Sequence, residues 1–205
     1  EGYMYRYYPY IYKVIEIIKK GEIGKLLNME TSFGSNLLTK KKFIFFEKKK
    51  KINPNNRLFN LELGGGCILD LGCYVTSFSL LIASLVVGVN YKNFDLANVK
   101  KKIGPTGVDI DAEAEILFEG GFKSKIKASF EKDIGNSSII NGENGKLIIR
   151  DTWYGEGDII KIINGKETII KNSMTKNIYS YQIDSISERI LKNKNENVFP
   201  GFKID

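Results

Sequence analysis

Histidine is absent from this chain of 205 residues, and cysteine, tryptophan and arginine number only two, one and four. Without an imidazole there is no Ser-His-Asp triad, no Cys-His dyad and no zinc site that uses histidine. The two cysteines, Cys67 and Cys73, form no CxxC and cannot build a disulfide framework, which points to a reducing, cytoplasmic setting. Neither GxGxxG nor GxxxxGK[ST] occurs, so the chain carries no nucleotide-binding fingerprint of its own. It opens on Glu1 and shows no signal peptide, and it reads as a piece of a longer protein.

What is present is ordinary globular chemistry, 42% apolar and 27% charged, which excludes disorder and leaves enough apolar residue for a sizeable core. The net charge is +7, but 27 of the 31 cations are lysines, and Lys, Ile and Asn together exceed a third of the chain. That is a compositional bias more than a nucleic-acid footprint, because base readers favour arginine forks, so no nucleic-acid partner is expected. The runs Lys40–Lys42 and Lys48–Lys51 flank Phe43-Ile44-Phe45-Phe46 and read as a solvated loop. The longest uncharged run, Leu71 to Tyr91, matches a membrane span in length. Its Thr76, Ser77, Ser79, Ser84 and two glycines favour a buried helix ending near Gly88, with no membrane partner.

The apolar periodicity predicts a strand over residues 1–8, then a helix from Pro9 through Ile11, Val14, Ile15 and Ile18 to Gly21. Leu27, Met29, Thr31 and Phe33 alternate as a strand, and residues 36–60 read as a long loop. Alternation over 110–118 and 122–130 predicts a hairpin with one polar face. Further strands are predicted at about 137–141, 146–151, 157–163 and 166–171, with a type I′ turn at Asn164-Gly165. A last helix is predicted over 178–192 with Ile183, Ile186 and Ile190 facing inward. Helices early and late with antiparallel strands between them define an α+β class: an open, mostly antiparallel sheet with helices on one face.

The segment GGGCILDLGCY at 64–74 holds the clearest chemistry. A helix starting near Cys67 puts Asp70 and Tyr74 four apart on one face. There a phenol can exchange a proton with a substrate hydroxyl while a carboxylate one turn away orients it; at neutral pH the phenol, near pKa ~10, needs a nearby cation. The same pattern also suits a capping aspartate and a packed tyrosine. The three glycines read equally as a close backbone approach before a helix.

Taken with EGYMYRYYP at 1–9, IKKGEIGKLLNMETSFG at 18–34, NPNNRLFNLELGGGCILDLGCY at 53–74 and FPGFKID at 199–205, the sequence resembles the C-terminal part of the Gfo/Idh/MocA oxidoreductases. This is the glucose-fructose oxidoreductase and inositol dehydrogenase family. The likeness is strongest to members resembling dihydrodiol dehydrogenase and glucose-fructose oxidoreductase, which have tyrosine where inositol dehydrogenases have histidine; here that residue is Tyr74.

The resemblance implies a two-domain dehydrogenase whose Rossmann domain, and whose Glu-Lys-Pro motif with its catalytic lysine, lie outside this chain. Residues 1–8 would be a remnant of the Rossmann domain. Residues 9–205 would form the substrate-binding and dimerisation domain, truncated at its C-terminal end and inactive alone. The implied cofactor is NAD or NADP, with no metal; the implied substrate is a sugar, polyol or diol oxidised at a CH–OH group. Tyr74 would be the proton donor or acceptor and Asp70 the orienting carboxylate. Phe33 and Arg57 would meet substrate, though Arg57 equally suits pinning its own loop, and Arg6 would lie on the cofactor side. A homo-oligomer through the sheet is implied as well. A cofactor-free binding or oligomerisation module is the other class the sequence leaves open.

Overall fold

A computed structural model describes residues 2–43, 46–193, 198–199 and 202–203. The elements run α1 (Pro9–Lys19), β1 (Leu26–Gly34), β2 (Thr39–Phe43), β3 (Phe46–Lys49), α2 (Cys73–Ala83), β4 (Asn90–Ile103) and β5 (Asp109–Glu119). They continue with β6 (Lys123–Ser129), β7 (Ser138–Gly142), β8 (Gly145–Ile149), β9 (Ile159–Ile163), β10 (Lys166–Ile170), α3 (Ile178–Leu191), β11 (Val198–Phe199) and β12 (Phe202–Lys203). Eight strands form one open sheet in the order β10-β9-β8-β7-β1-β6-β5-β4. Every neighbouring pair is antiparallel except β1 with β6. The class is α+β, as the sequence implies.

Helices cover one face of that sheet. Ile11, Val14, Ile15 and Ile18 of α1 are buried with Leu147, Ile149 and Ile159 of the strands, which is the side selected by their 3.6-residue spacing. Helix α2 lies over β1 and β6. Its serines are used inside the core: Ser79 Oγ bonds the Val75 carbonyl at 2.7 Å and Ser124 Oγ of β6 at 2.6 Å. Ser77 Oγ pairs with the Tyr5 hydroxyl. Both of these buried serine hydroxyls therefore have partners that offset their desolvation. The β9–β10 turn has Asn164 at φ 49° and Gly165 at φ 77°, the two positive angles of a type I′ hairpin.

Outside the Cys67 helix start, the structure departs from the sequence reading at four places. Where a strand is expected over 1–8, the described residues 2–8 contain a 3₁₀ turn, Met4–Tyr7, with Tyr5 and Tyr8 fully buried. Residues three apart eclipse in such a turn, so both rings enter the core, and Pro9 holds Tyr8 extended before α1 begins. The lysine-rich segment pairs as the β2–β3 hairpin instead of remaining loop. Edge strand β4 goes unread because register shifts at 90/94, 97/100 and 102/103 break its alternation, with Asn98 at φ 52°.

The fourth difference is α3, whose isoleucines face outward: Ile183 is 61% and Ile190 69% exposed, and Ile186 is exposed as well. The start of α3 sets its rotation. Ile178 and Tyr181 pack on the core, and the Tyr181 ring lies 6.3 Å from Tyr8. The Tyr181 hydroxyl also accepts the amides of Thr175 at 2.8 Å and Lys176 at 3.2 Å.

Candidate functional site

The site is built on an irregular helix start. Before it, asparagines fold the NPNNRLFN loop through side-chain turns: Asn53 Oδ1 accepts the Asn55 amide at 3.0 Å, Asn56 the Leu58 amide at 3.0 Å and Asn60 the Glu62 amide at 2.9 Å. The glycines that follow are required by close approach. A Cβ on Gly65 would lie 2.7 Å from the carbonyl oxygens of both Arg57 and Asn60. Gly66, at φ 120°, faces the Asp109 carboxylate so closely that a side chain would overlap it. Asp109 Oδ2 in turn accepts the Ile68 amide at 2.6 Å, capping the helix start from a strand 41 positions away.

The helix then opens as a π turn, Ile68–Gly72, and continues as α2 from Cys73. The expected α-helix from Cys67 is thus wider in its first turn, an irregularity common where side chains are re-aimed at functional sites. Asp70 lies on this turn, its carboxylate 2.9 Å from Arg57 Nη1, with Asp70 22% and Arg57 72% exposed. Asp70 Oδ1 thus has its partner on the neighbouring loop.

Tyr74 emerges one turn later into a nest of rings. Tyr3 is 5.3 Å away edge-on, Phe33 5.4 Å, Trp153 5.9 Å and Tyr5 6.2 Å. Its hydroxyl donates to the Met4 thioether at 3.6 Å, a weak acceptor. Burial, reinforced by the Cys73 thiol, Tyr179, the Asp70 carboxylate and Tyr154, pushes this phenol up to about 12.

Phe33 lies directly behind Tyr74, 6% exposed and stacked on Trp153 at 5.4 Å. It supports the phenol's ring. The Arg6 guanidinium sits over the Tyr3 ring at 5.4 Å, with Nε 3.5 Å from the Tyr5 hydroxyl and Nη2 3.5 Å from the Ser77 carbonyl. The structure pairs Asp70 with Arg57 and Tyr74 with Phe33, puts Asp70 within electrostatic reach of the Tyr74 phenol, and links Arg6 to Tyr74 through Tyr3 and Tyr5.

Sequence reasoning missed the opposite wall. Asp151 accepts the amides of Trp153 at 3.3 Å, Tyr154 at 3.2 Å and Glu156 at 3.2 Å, and so folds the 151–156 loop over Phe33. Trp153 Nε1 donates to the Ser32 carbonyl at 2.8 Å, and the exposed Tyr154 ring lies 5.7 Å from Phe33. Tyr179 comes from the first turn of α3, capped by Asn177 at 3.1 Å. The only tryptophan, followed by tyrosine just after an aspartate, was the available signal. Among the described residues no cluster of three or more carboxylate or thiol groups forms a metal site.

Residues 11–148 match the GFO/IDH/MocA C-terminal domain, and the chain belongs to that oxidoreductase family. Trans-1,2-dihydrobenzene-1,2-diol dehydrogenase of Xenopus tropicalis is 24% identical over 167 residues, covering 82% of this chain and 44% of that protein. The Xenopus laevis counterpart is 23% identical over 168 residues, with 82% and 44% covered. An aldose-aldose oxidoreductase from Caulobacter crescentus, solved with glycerol, shares the fold at TM-score 0.72 and 20% identity, covering 94% of this chain and 53% of that one. A 3-ketoreductase from Actinomadura kijaniata, solved with TDP-benzene and NADP, does so at TM-score 0.70 and 14% identity, covering 96% and 54%. The chain spans about half the length of the relatives it matches.

Proposed function

We propose that this chain is the substrate-binding and dimerisation part of an NAD(P)-dependent oxidoreductase acting on the CH–OH group of a sugar, polyol or diol. The observation that carries the reading is the Tyr74 hydroxyl, set in a nest of rings, bonded among the described residues only to the Met4 thioether and within electrostatic reach of the Asp70 carboxylate. The names of the relatives support the substrate class, which includes a dihydrodiol and aldoses.

A dinucleotide fits these residues only along one edge. The helix-start amides of Ile68 and Tyr179 are taken by Asp109 and Asn177, and α1 opens on Pro9, so none of the three offers a pyrophosphate cradle. Arg6 is the residue we assign to the cofactor side. The chemistry that a nicotinamide supplies, when bound, is acceptance or donation of hydride.

The chain's own residues do the rest. Tyr74 Oη takes or returns the carbinol proton, Asp70 and Arg57 grip neighbouring hydroxyls, and the walls of Phe33, Trp153 and Tyr154 exclude water. A phenol near 12 needs a cation to act at neutral pH, and we assign that role to a lysine outside this chain.

The test is Tyr74→Phe in the full-length enzyme, which keeps the ring packing and removes the hydroxyl. The expected result is a kcat lower by ~10²–10⁴-fold with cofactor affinity unchanged. A kcat within about twofold of wild type, worth ~0.4 kcal/mol, would return Tyr74 to a packing role.

The same reading assigns dimerisation to the open sheet face. Across β7 to β10, Ile139, Ile148, Ile160 and Ile169 pair in one row on the side away from the helices. Beyond it the row continues as Glu30, Lys125 and Glu115. A face that is half apolar and half ionic suits a second copy packed sheet on sheet.

A further inference from the structure

On the far side of α2 from Tyr74, a cavity of about 260 Å³ opens between that helix and edge strand β4. It exists because its floor is made of small residues. Ala112 and Ala114 of β5 and Ala128 of β6 stand where adjoining positions carry Ile116 and Ile126, and the π turn contributes Gly72. The walls are apolar: Ile68 and Val75 on the helix side, Phe94 and Leu96 on the strand side. An engineered cavity of ~150 Å³ already takes benzene, so this volume holds one ring or a short alkyl chain and excludes a long lipid tail.

Positive charge at the cavity comes from Lys101 of β4. Glu113, with Lys100, Lys125 and Lys127 at 3.7, 3.7 and 3.8 Å, belongs to the other face of the sheet, since it alternates with Ala112 and Ala114 along β5. Lys101 pairs across the ladder with Ala112, which places it on the cavity side. Among the described residues it has no acidic partner.

We propose that this cavity binds a small carboxylic acid with a ring or medium-length alkyl body, the hydrocarbon resting on the alanine floor and the carboxylate meeting Lys101. Apolar enclosure supplies the affinity and the lysine selects an anionic head over a neutral one. The inference does not rest on the oxidoreductase reading, because no residue of the Tyr74 cluster lines the cavity.

The chain itself, with alanine methyls labelled for NMR, is titrated with octanoate and, separately, with octanol. Octanoate should shift the methyls of Ala112, Ala114 and Ala128 while leaving Ala83 in place, with half-saturation below about 1 mM. Ala114→Phe, which fills the floor, should abolish these shifts. Lys101→Glu should weaken octanoate about fivefold and change octanol by less than about twofold. If Ala114→Phe does not fold, the exposed Lys101→Glu variant decides. Equal weakening of both probes, shifts that include Ala83, or no shift at about 10 mM would overturn the proposal.

Discussion

Arg57 Nη1 stands 2.9 Å from Asp70 Oδ1, and each residue arrives there by its own local device. Asparagine turns curl the loop that presents Arg57, while the wide π turn aims Asp70 back at it. Arg57 is largely exposed, so the pair adds little to stability. Its consequence is positional: the guanidinium orients Asp70 Oδ1.

Arg57→Ala should therefore change the urea midpoint by less than about 0.5 kcal/mol of stability. In the full-length enzyme, Asp70→Asn should raise KM and lower kcat together, and Arg57→Ala should do the same less severely. A double mutant no worse than Asp70→Asn alone would show that the arginine acts through Asp70; additive losses would give Arg57 its own substrate contact.

Asp109 and Gly66 form one unit at the helix start. Removing the cap with Asp109→Ala should cost about 1 kcal/mol in chemical denaturation. Gly66→Ala should cost more, about 2–3 kcal/mol, since it meets both the carboxylate and an unfavourable φ. Equal small losses at both positions would contradict the packed arrangement.

Alkaline pH should destabilise the fold. Burial raises the phenols of Tyr5, Tyr8 and Tyr10, and raises Tyr74 to about 12. An unfolded tyrosine loses its proton near ~10 while these keep theirs, so the unfolded state binds fewer protons above that pH. Stability is then full below about pH 10 and falls as pH rises toward 12. Urea midpoints at pH 9 and 11 measure the drop, and Tyr74→Phe should reduce it; a flat profile would oppose it.

The chain by itself should not bind NAD or NADP at micromolar concentrations in calorimetry, because its capped helix starts offer no phosphate cradle. Micromolar binding of either would show that the chain holds a dinucleotide site of its own.

Self-association should depend on the isoleucine row. Ile148→Lys places a charge in the middle of it, between Ile139 and Ile160, and should shift a dimer toward monomer in analytical ultracentrifugation. A wild-type monomer at tens of micromolar, an ordinary working range for an interface of standard size, would count against the sheet-face dimer.

Much of this architecture is legible locally. The α1 stripe, the 110–118 and 122–130 hairpin and the Asn164-Gly165 turn follow from periodicity and turn chemistry, which act over a few residues. The helical spacing of Asp70 and Tyr74 is legible in the same way. Strand β4 is not, because its bulges erase the alternation that would announce it. The outward isoleucines of α3 were misread because a stripe reveals that a face is apolar but not which way the helix is rotated.

Residue order alone was enough for the α+β class and the family, which rest on local periodicity and on short motifs, and it offered Asp70 and Tyr74 as candidates by their spacing. Folding decided what surrounds that pair. Asp109, Trp153 and Tyr154 come from distant strands and loops, and only the sheet order β7-β1-β6-β5 carries them to the end of α2. Whether an aspartate caps a helix 41 positions away, or a tryptophan backs a phenol, depends on long-range packing. No local pattern encodes that packing, because the contacts form between segments whose own propensities are indifferent to one another.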